Sequence, residues 1–173
     1  MLIRKISSDE ACDGQALIEF ALVLPLLFLL IVNVVNFGGM LYAWITVANG
    51  ARAGVQYLVL GGASLGAPAQ PSAAQVQTLV RNDLSALPNR ASAQICVSSS
   101  NSVTVACNTG TAPAGAPPAA GAAEAGVTYV VGAVDVTYTY IPFIAAWGFR
   151  GIGIHLTLPP TTIHRQAQMR ILQ

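Results

Sequence analysis

The sequence predicts an α+β protein in which a long N-terminal transmembrane helix carries a small exported domain with one short helix and a few antiparallel strands. Three observations support this prediction. A run of 32 residues, Phe20 to Ala51, contains no charged side chain. Apolar residues recur at helical spacing over 72–87, and alternating apolar and polar residues, typical of strands, occupy much of the chain after residue 93.

The composition narrows the class of protein before any motif is considered. Charged residues make up only 9% of the 173 residues, and the formal net charge is +1. An ordinary soluble domain contains roughly 25% charged residues, so part of this chain is expected to lie outside water. The near-neutral charge argues against nucleic-acid binding, because neutralising phosphates requires clustered Lys and Arg. The apolar fraction of 54% argues against disorder over most of the length.

The uncharged run is long enough to cross a membrane as one helix. A bilayer core of roughly 30 Å needs about 20 helical residues, and this run exceeds that by a third of its length. Pro25 lies inside the run and is predicted to kink the transmembrane helix. Arg4 and Lys5 precede the run, and the next basic residue is Arg52. This asymmetry predicts a single-pass topology with a cytoplasmic N-terminus and a periplasmic or extracellular C-terminal domain.

The residues at the start of the run are typical of a processing signal. Gly14 closes a short polar leader, and Gln15, three apolar residues, Glu19 and Phe20 lead directly into the apolar run. This order resembles a class III signal, which prepilin peptidases cut after the glycine. Together with the sequence that follows, including Asn49-Gly50-Ala51-Arg52, the segment 14–57 resembles the TadE-like minor pilins, or pseudopilins, of Tad/Flp tight-adherence pilus systems.

The resemblance implies a structural subunit that is packed through its N-terminal helix into a pilus or a related secretion assembly. The processing site would lie between Gly14 and Gln15, and Glu19 with Phe20 would contribute to assembly. The Glu19 carboxylate would meet the new N-terminal amine of a neighbouring subunit; alternatively, it lies in the headgroup region where the chain enters the membrane. The implied partners are the inner membrane, a prepilin peptidase, other pilin-like subunits and the assembly platform proteins.

Two other functions remain compatible with the sequence. One is a permanently anchored, unprocessed envelope domain that binds a partner, and the other is a pseudopilin of a type II secretion system. Catalysis is not expected, because the only two histidines are His155 and His164 and no P-loop, Rossmann or zinc-ligand spacing is present. The sequence therefore predicts no enzymatic activity, no cofactor and no metal site.

The chain is expected to divide into a leader (1–14), the transmembrane and stalk helix (15–60), a linker (61–71) and the exported domain (72–173). Ser72 can cap a short helix that Pro88 closes. Strands are predicted around residues 95–97 and 103–105, joined by a Ser/Asn turn. The Ala-, Gly- and Pro-rich segment 109–126 is predicted to be a disordered loop.

The last third of the domain is predicted to be mainly strands. Val134, Val136, Tyr138 and Tyr140 alternate with polar residues that include Asp135, as in a half-buried strand, and Gly132 is predicted to mark a bulge or bend. A second alternating set occupies 152–158. Residues 163–172 fit either a closing strand or a helix.

Two of the three cysteines are predicted to form a disulfide. Cys12 belongs to the leader, whereas Cys96 and Cys107 lie in the exported domain, where the environment is usually oxidising. If residues 101 and 102 form a two-residue hairpin loop, then Cys96 lies directly opposite Cys107. Opposed residues of antiparallel strands have Cα atoms about 4.5–5.5 Å apart, which a disulfide can bridge. The remaining alternative is a pair of free thiols.

Overall fold

The structure is a computed structural model that describes residues 9–64, 71–98, 105–111, 123–124, 127–128, 130–144, 148–149 and 154–171. It contains two α-helices, two short 3-10 turns and eight strands within these ranges. The described chain divides into two compact units. One takes the chain up to Gly38 together with Pro142–Pro159, and the other takes Gly39–Ile141 together with Pro160–Gln173. The predicted α+β class is confirmed.

Helix α1 covers Asp9–Ser64 and continues through Pro25. It therefore begins within the predicted leader and ends four residues beyond the predicted boundary at residue 60. Gly61 and Gly62 each weaken a helix by about 1 kcal/mol but keep their backbone N–H groups, so the helical hydrogen bonds can continue through them. A proline would remove such a hydrogen bond, and the next proline in the sequence is Pro68. The kink at Pro25 stays a prediction, and leader residues 1–8 lie outside the described chain.

The first unit combines the N-terminal part of α1 with a returning segment, Pro142–Pro159. Within that segment, β6 (Gly148–Phe149) pairs antiparallel with β7 (Ile154–His155). The predicted alternating strand over 152–158 is wrong in extent, because strand structure ends at His155 and Leu156 and Thr157 form a bend. The Leu156 carbonyl accepts a hydrogen bond from the Asn33 side chain instead of pairing with another strand.

The second unit contains a four-stranded antiparallel sheet in the order β2-β1-β5-β8. Its strands are β1 (Gln94–Ser98), β2 (Ala106–Cys107), β5 (Val130–Tyr140) and β8 (Thr161–Ile171). The open alternative for the closing element is thereby resolved as a strand. The short pair β3 (Ala123–Glu124) and β4 (Val127–Thr128) lies at the end of the segment 109–126 and just beyond it, so strand pairing reaches into the predicted loop. Most of that segment, from 112 to 122, is outside the described ranges.

Gly132 does not form the predicted bulge. The β5–β8 pairing runs without interruption from Val130 opposite Ile171 to Tyr140 opposite Thr161. A Cβ at Gly132 would lie 3.0 Å from Leu58 Cδ2 and 3.3 Å from Val59 Cγ2 of α1. The close approach of α1 to β5 therefore explains the glycine at this position. Besides a bulge, such an approach is a known reason for glycine within a strand.

Helix α2 (Ala73–Asp83) begins where the sequence predicts it. Ser72 accepts a hydrogen bond from the Gln75 amide, and the Gln75 side chain accepts one from the Ser72 amide, which together form a capping box. The apolar residues that recur at helical spacing over 72–87 are Val76, Leu79, Val80, Leu84 and Leu87; all are buried except Leu79, which is partly exposed. A 3-10 turn, Leu84–Ala86, ends the helical segment just before Pro88.

The core of the second unit lies between the sheet and the two helices. Gly54 of α1 approaches Val80 of α2 and Val134 of β5 closely enough that a Cβ would come within 2.6 Å of Val80 Cγ2. Asp135, expected among the polar residues of a half-buried strand, is only 2% exposed. It is buried because β5 lies between β1 and β8 and because His164 of β8 covers its carboxylate.

Candidate functional site

The predicted processing and assembly residues lie at the exposed start of α1. Gly14 is exposed, and a Cβ added there would have no atom within 4 Å. Gln15 Nε2 donates a hydrogen bond to Glu19 Oε1 over 3.1 Å, one helical turn away. Phe20 is 64% exposed. Nothing in the described chain covers these four residues, and their roles in cleavage and assembly stay predictions.

The apolar side chains that follow are also uncovered. From residue 14 to residue 31 every side chain except that of Leu29 is exposed, on all sides of the helix. We call residues 14–31 the exposed apolar segment. Within the described residues, α1 alone has the length and apolar composition required to cross a membrane. Apolar surface of this extent needs lipid or another apolar helix around it.

Two asparagines join the next turns of α1 to the returning segment. Asn33 Nδ2 donates to the Leu156 carbonyl over 2.9 Å. Asn36 is fully buried; its Nδ2 donates to the Ile144 carbonyl, and its Oδ1 accepts from the Ile144 amide. No local sequence pattern indicates these contacts, because each asparagine has its partner more than 100 residues away.

An apolar cavity of about 630 Å³ lies beside this pairing. Pro25 lines it, so the residue predicted to kink the helix also shapes a hollow against the returning segment. The other lining residues are Leu24, Phe28, Leu29, Val32, Ile144 and Thr157. Apart from Thr157 the lining is apolar, as expected for a surface that contacts hydrocarbon.

Cys96 and Cys107 are paired as predicted. They are directly opposite one another in the β1–β2 register, and a disulfide joins them with a Cα–Cα distance of 4.0 Å. Cys96 is 1% exposed. The hairpin loop between the strands, residues 99–104, lies outside the described chain. The disulfide fixes one edge of the sheet.

Asp135 and His164 form a hydrogen-bonded pair on the same face of the sheet as Cys96. His164 Nε2 lies 2.6 Å from Asp135 Oδ2, with the carboxylate buried and the imidazole half-exposed. The described residues contain no group of three His, Cys, Asp or Glu arranged to hold a metal ion. A hydrogen-bonded acid–histidine pair of this kind is well suited to holding two strands together.

A contact between an arginine and a tryptophan lies where α1 passes β8 in the second unit. The Arg165 guanidinium lies over the Trp44 ring, with 4.3 Å between Cζ and the ring centroid. Arg52 and Arg165 both line a cavity of about 440 Å³ beside this contact, which we call the two-arginine cavity. No local sequence pattern connects the two arginines, because their proximity depends on how β8 packs against α1.

These features define a class of protein: an α+β chain with one N-terminal apolar helix, which suggests single-pass membrane anchoring. Residues 14–56 match the family described as TadE-like protein. The resemblance drawn from the sequence is thereby confirmed for this segment. Neither a curated protein nor a solved structure matches the chain.

Proposed function

We propose that this protein is a minor pilin or pseudopilin subunit of a Tad/Flp pilus or a related secretion assembly. A prepilin peptidase removes residues 1–14, and the subunit then packs through its N-terminal helix against other pilin-like subunits. The observation that carries the proposal is the start of the TadE-like match at Gly14, the residue that closes the polar leader. Proteins of this pilus family are structural rather than enzymatic.

The exposure of α1 supports a packing role. An isolated membrane anchor needs about 20 apolar residues. The apolar helix that could cross a membrane covers Gly14–Leu60, and its C-terminal part, with Val47, Val55 and Leu58, is buried in the second unit, which leaves the N-terminal part for packing. The exposed apolar segment presents Leu17, Ile18 and Phe20 at 64–70% exposure immediately after the proposed cleavage site. Lipid covers these side chains before assembly, and the helices of neighbouring subunits replace the lipid afterwards.

The proposed membrane location follows from the same segment. The subunit resides in the inner membrane with residues 1–14 in the cytoplasm and the sheet on the periplasmic or extracellular side. The Cys96–Cys107 disulfide supports that side for the sheet, because disulfides persist in oxidising compartments. Assembly platform proteins are the expected partners for extraction of the processed subunit.

The N-terminus of the membrane-purified chain tests the proposal. Intact-mass analysis should find a chain that begins at Gln15 in a host with a prepilin peptidase and at Met1 in a host without one. Gly14→Glu should leave the full-length chain in the membrane, because a bulky charge obstructs the bond to be cut. Gly14→Ala is the matched control, since its Cβ meets open space and preserves the helix.

A wild-type chain that keeps residues 1–14 in the competent host would contradict the proposal. It would favour the alternative of an unprocessed envelope-anchored domain. Cleavage of Gly14→Glu at the wild-type level would equally argue against recognition of this glycine.

A further inference from the structure

The two-arginine cavity is a chemical feature that the proposed function does not use. It lies between α1 and the edge strand β8, and all of its lining residues belong to the second unit. Trp44 and Ile45 contribute apolar surface, and the side chains of Asn49, Arg52 and Arg165 contribute hydrogen-bond donors. Its volume of about 440 Å³ falls within the range of small-molecule sites, roughly 300–1,000 Å³.

Arg165 lacks an acceptor that its position requires. Its Nε is buried and has no hydrogen-bond partner among the described residues. A buried donor left unpaired loses its hydration without replacement, which destabilises the fold, and a guanidinium has four further N–H groups to satisfy. Stacking on Trp44 orients the planar guanidinium but provides no acceptor. The arrangement therefore leaves donors ready for an oxyanion.

The charge of this cavity is also uncompensated. Arg52 and Arg165 form no salt bridge within the described chain, and no acidic side chain is found among the described residues that line the cavity. The nearby hydrogen-bonded pair Asp135–His164 lies on the other face of the sheet. Arg165 is opposite Val136 and His164 is opposite Thr137, and adjacent strand residues point to opposite faces.

Two guanidinium groups on different elements favour phosphate over carboxylate. Arginine pairs with both anions through parallel hydrogen bonds, but a phosphate presents its oxygens in a tetrahedron to donors that approach from two directions. The apolar side, where Trp44 is 42% and Ile45 is 62% exposed, fits an amphiphile better than a free ion. Tryptophan within a spanning helix is enriched at the membrane interface, where lipid phosphates lie.

We propose that the two-arginine cavity binds the phosphate group of an anionic phospholipid, with Arg165 and Arg52 as donors and Trp44 and Ile45 against the start of the acyl chain. This inference goes beyond the proposed function. Because lipid binding is measured on the purified chain, the lipid-binding proposal can fail while cleavage after Gly14 succeeds, and the reverse also holds.

Trp44 fluorescence tests the assignment. The full chain carries two tryptophans, so a Trp147→Phe background makes Trp44 the single reporter. In non-ionic detergent, short-chain phosphatidylglycerol should produce a saturable change in Trp44 emission, whereas inorganic phosphate and a neutral glycerolipid should not do so at the same concentrations. An equal response to inorganic phosphate would overturn the lipid assignment, and an equal response to the neutral lipid would overturn the anion site.

Substitutions locate the binding. Arg165→Gln and Arg52→Gln should each weaken phosphatidylglycerol binding by about tenfold or more, as expected for the loss of a hydrogen bond to a charged group. Arg81→Gln on the exposed side of α2 is the matched control and should bind like the parent. Arg52 is exposed, so its variant remains informative even if Arg165→Gln disturbs the contact with Trp44. Binding by both cavity variants at the Arg81→Gln level would overturn the proposal.

Discussion

Asn36 exchanges two hydrogen bonds with the main chain of Ile144, 108 residues further along the sequence. Its Nδ2 donates to the Ile144 carbonyl and its Oδ1 accepts from the Ile144 amide, both over 3.1 Å. The side-chain amide thus pairs with a backbone residue as a neighbouring strand would. Because Asn36 is fully buried, its side-chain amide needs such a partner in place of water.

The first prediction follows from this pairing. Asn36→Leu keeps the size of the side chain but leaves the Ile144 amide and carbonyl without these hydrogen bonds, so the first unit should lose about 1–3 kcal/mol of stability. Hydrogen exchange of the Ile144 amide should accelerate. Gln56→Leu, an exposed position of the same helix, is the control and should leave that amide protected. Unchanged exchange in Asn36→Leu would show that the pairing does not hold the returning segment.

The second prediction compares two glycines of α1. A Cβ at Gly54 would lie 2.6 Å from Val80 Cγ2 and 3.3 Å from Val134 Cγ1, and both valines are fully buried. Overpacking of this kind costs about 1–3 kcal/mol, which exceeds or offsets the gain of up to about 1 kcal/mol from replacing a helical glycine with alanine. Gly54→Ala should therefore unfold at lower denaturant concentration than the parent.

Gly38→Ala is the matched control for Gly54→Ala. A Cβ at Gly38 would have no atom within 4 Å, so only the gain in helix propensity remains. Its denaturation midpoint should stay the same or rise. If both variants shift in the same direction by the same amount, the close approach of α1 to α2 and β5 is not a determinant of stability.

The third prediction concerns alkaline pH. Tyr138 is buried, and its hydroxyl donates a hydrogen bond to the Pro88 carbonyl. Burial raises the pKa of the Tyr138 phenol above its ordinary value of 10.0, with a further contribution from the nearby Tyr140. Above about pH 10 the unfolded chain loses this proton while the folded chain retains it, so stability is constant below that pH and falls above it.

Tyr138→Phe separates the contribution of the Tyr138 hydrogen bond to stability from the effect of Tyr138 ionisation at alkaline pH. Loss of the hydrogen bond should lower the unfolding free energy at neutral pH by about 0.5–1.5 kcal/mol. The variant should also lose less stability than the parent between neutral pH and the region above about pH 10. Chemical denaturation across this pH range measures both, with Tyr42→Phe, an exposed position, as the control. An identical alkaline decline in parent and Tyr138→Phe would assign the decline to other groups.

The features that could be predicted from the sequence depend on neighbours close in the chain. The uncharged run predicts α1 because helix length and apolarity are local properties. Ser72 predicts the start of α2, since a helix cap depends only on residues close in the chain. The Cys96–Cys107 disulfide follows from counting outward from a two-residue turn.

What could not be predicted depends on which elements meet. Alternation places Asp135 and Val136 on opposite faces, but it does not reveal that His164 covers Asp135. Glycine within a strand occurs either at a bulge or where another element approaches closely. The sequence does not distinguish these two causes at Gly132, whereas the approach of Leu58 in the structure does. Arg165 and Trp44 are far apart in the chain, so their stacking requires the β8 register, which no local pattern fixes.

The fourth prediction separates an assembling subunit from an anchored domain. Glu19→Gln keeps the size of the side chain and removes the charge, so membrane insertion should be normal or slightly improved. If the carboxylate pairs with the new amine of a neighbouring subunit, the pair forms where the effective dielectric is low and attraction is strong. The variant should then fail to recover other pilin-like subunits in a membrane pulldown, although cleavage after Gly14 continues.

Gln15→Ala is the control for this last prediction. In the uncleaved chain the Gln15 side chain donates to Glu19 Oε1 over 3.1 Å, so a loss of partners could arise from this contact within one helix. Gln15→Ala removes that hydrogen bond but keeps the carboxylate and, after cleavage, the backbone amine. It should therefore recover partners that Glu19→Gln loses. Equal recovery by the wild-type chain and Glu19→Gln would rule out the pairing of Glu19 with a neighbour and leave it as a carboxylate at the membrane surface.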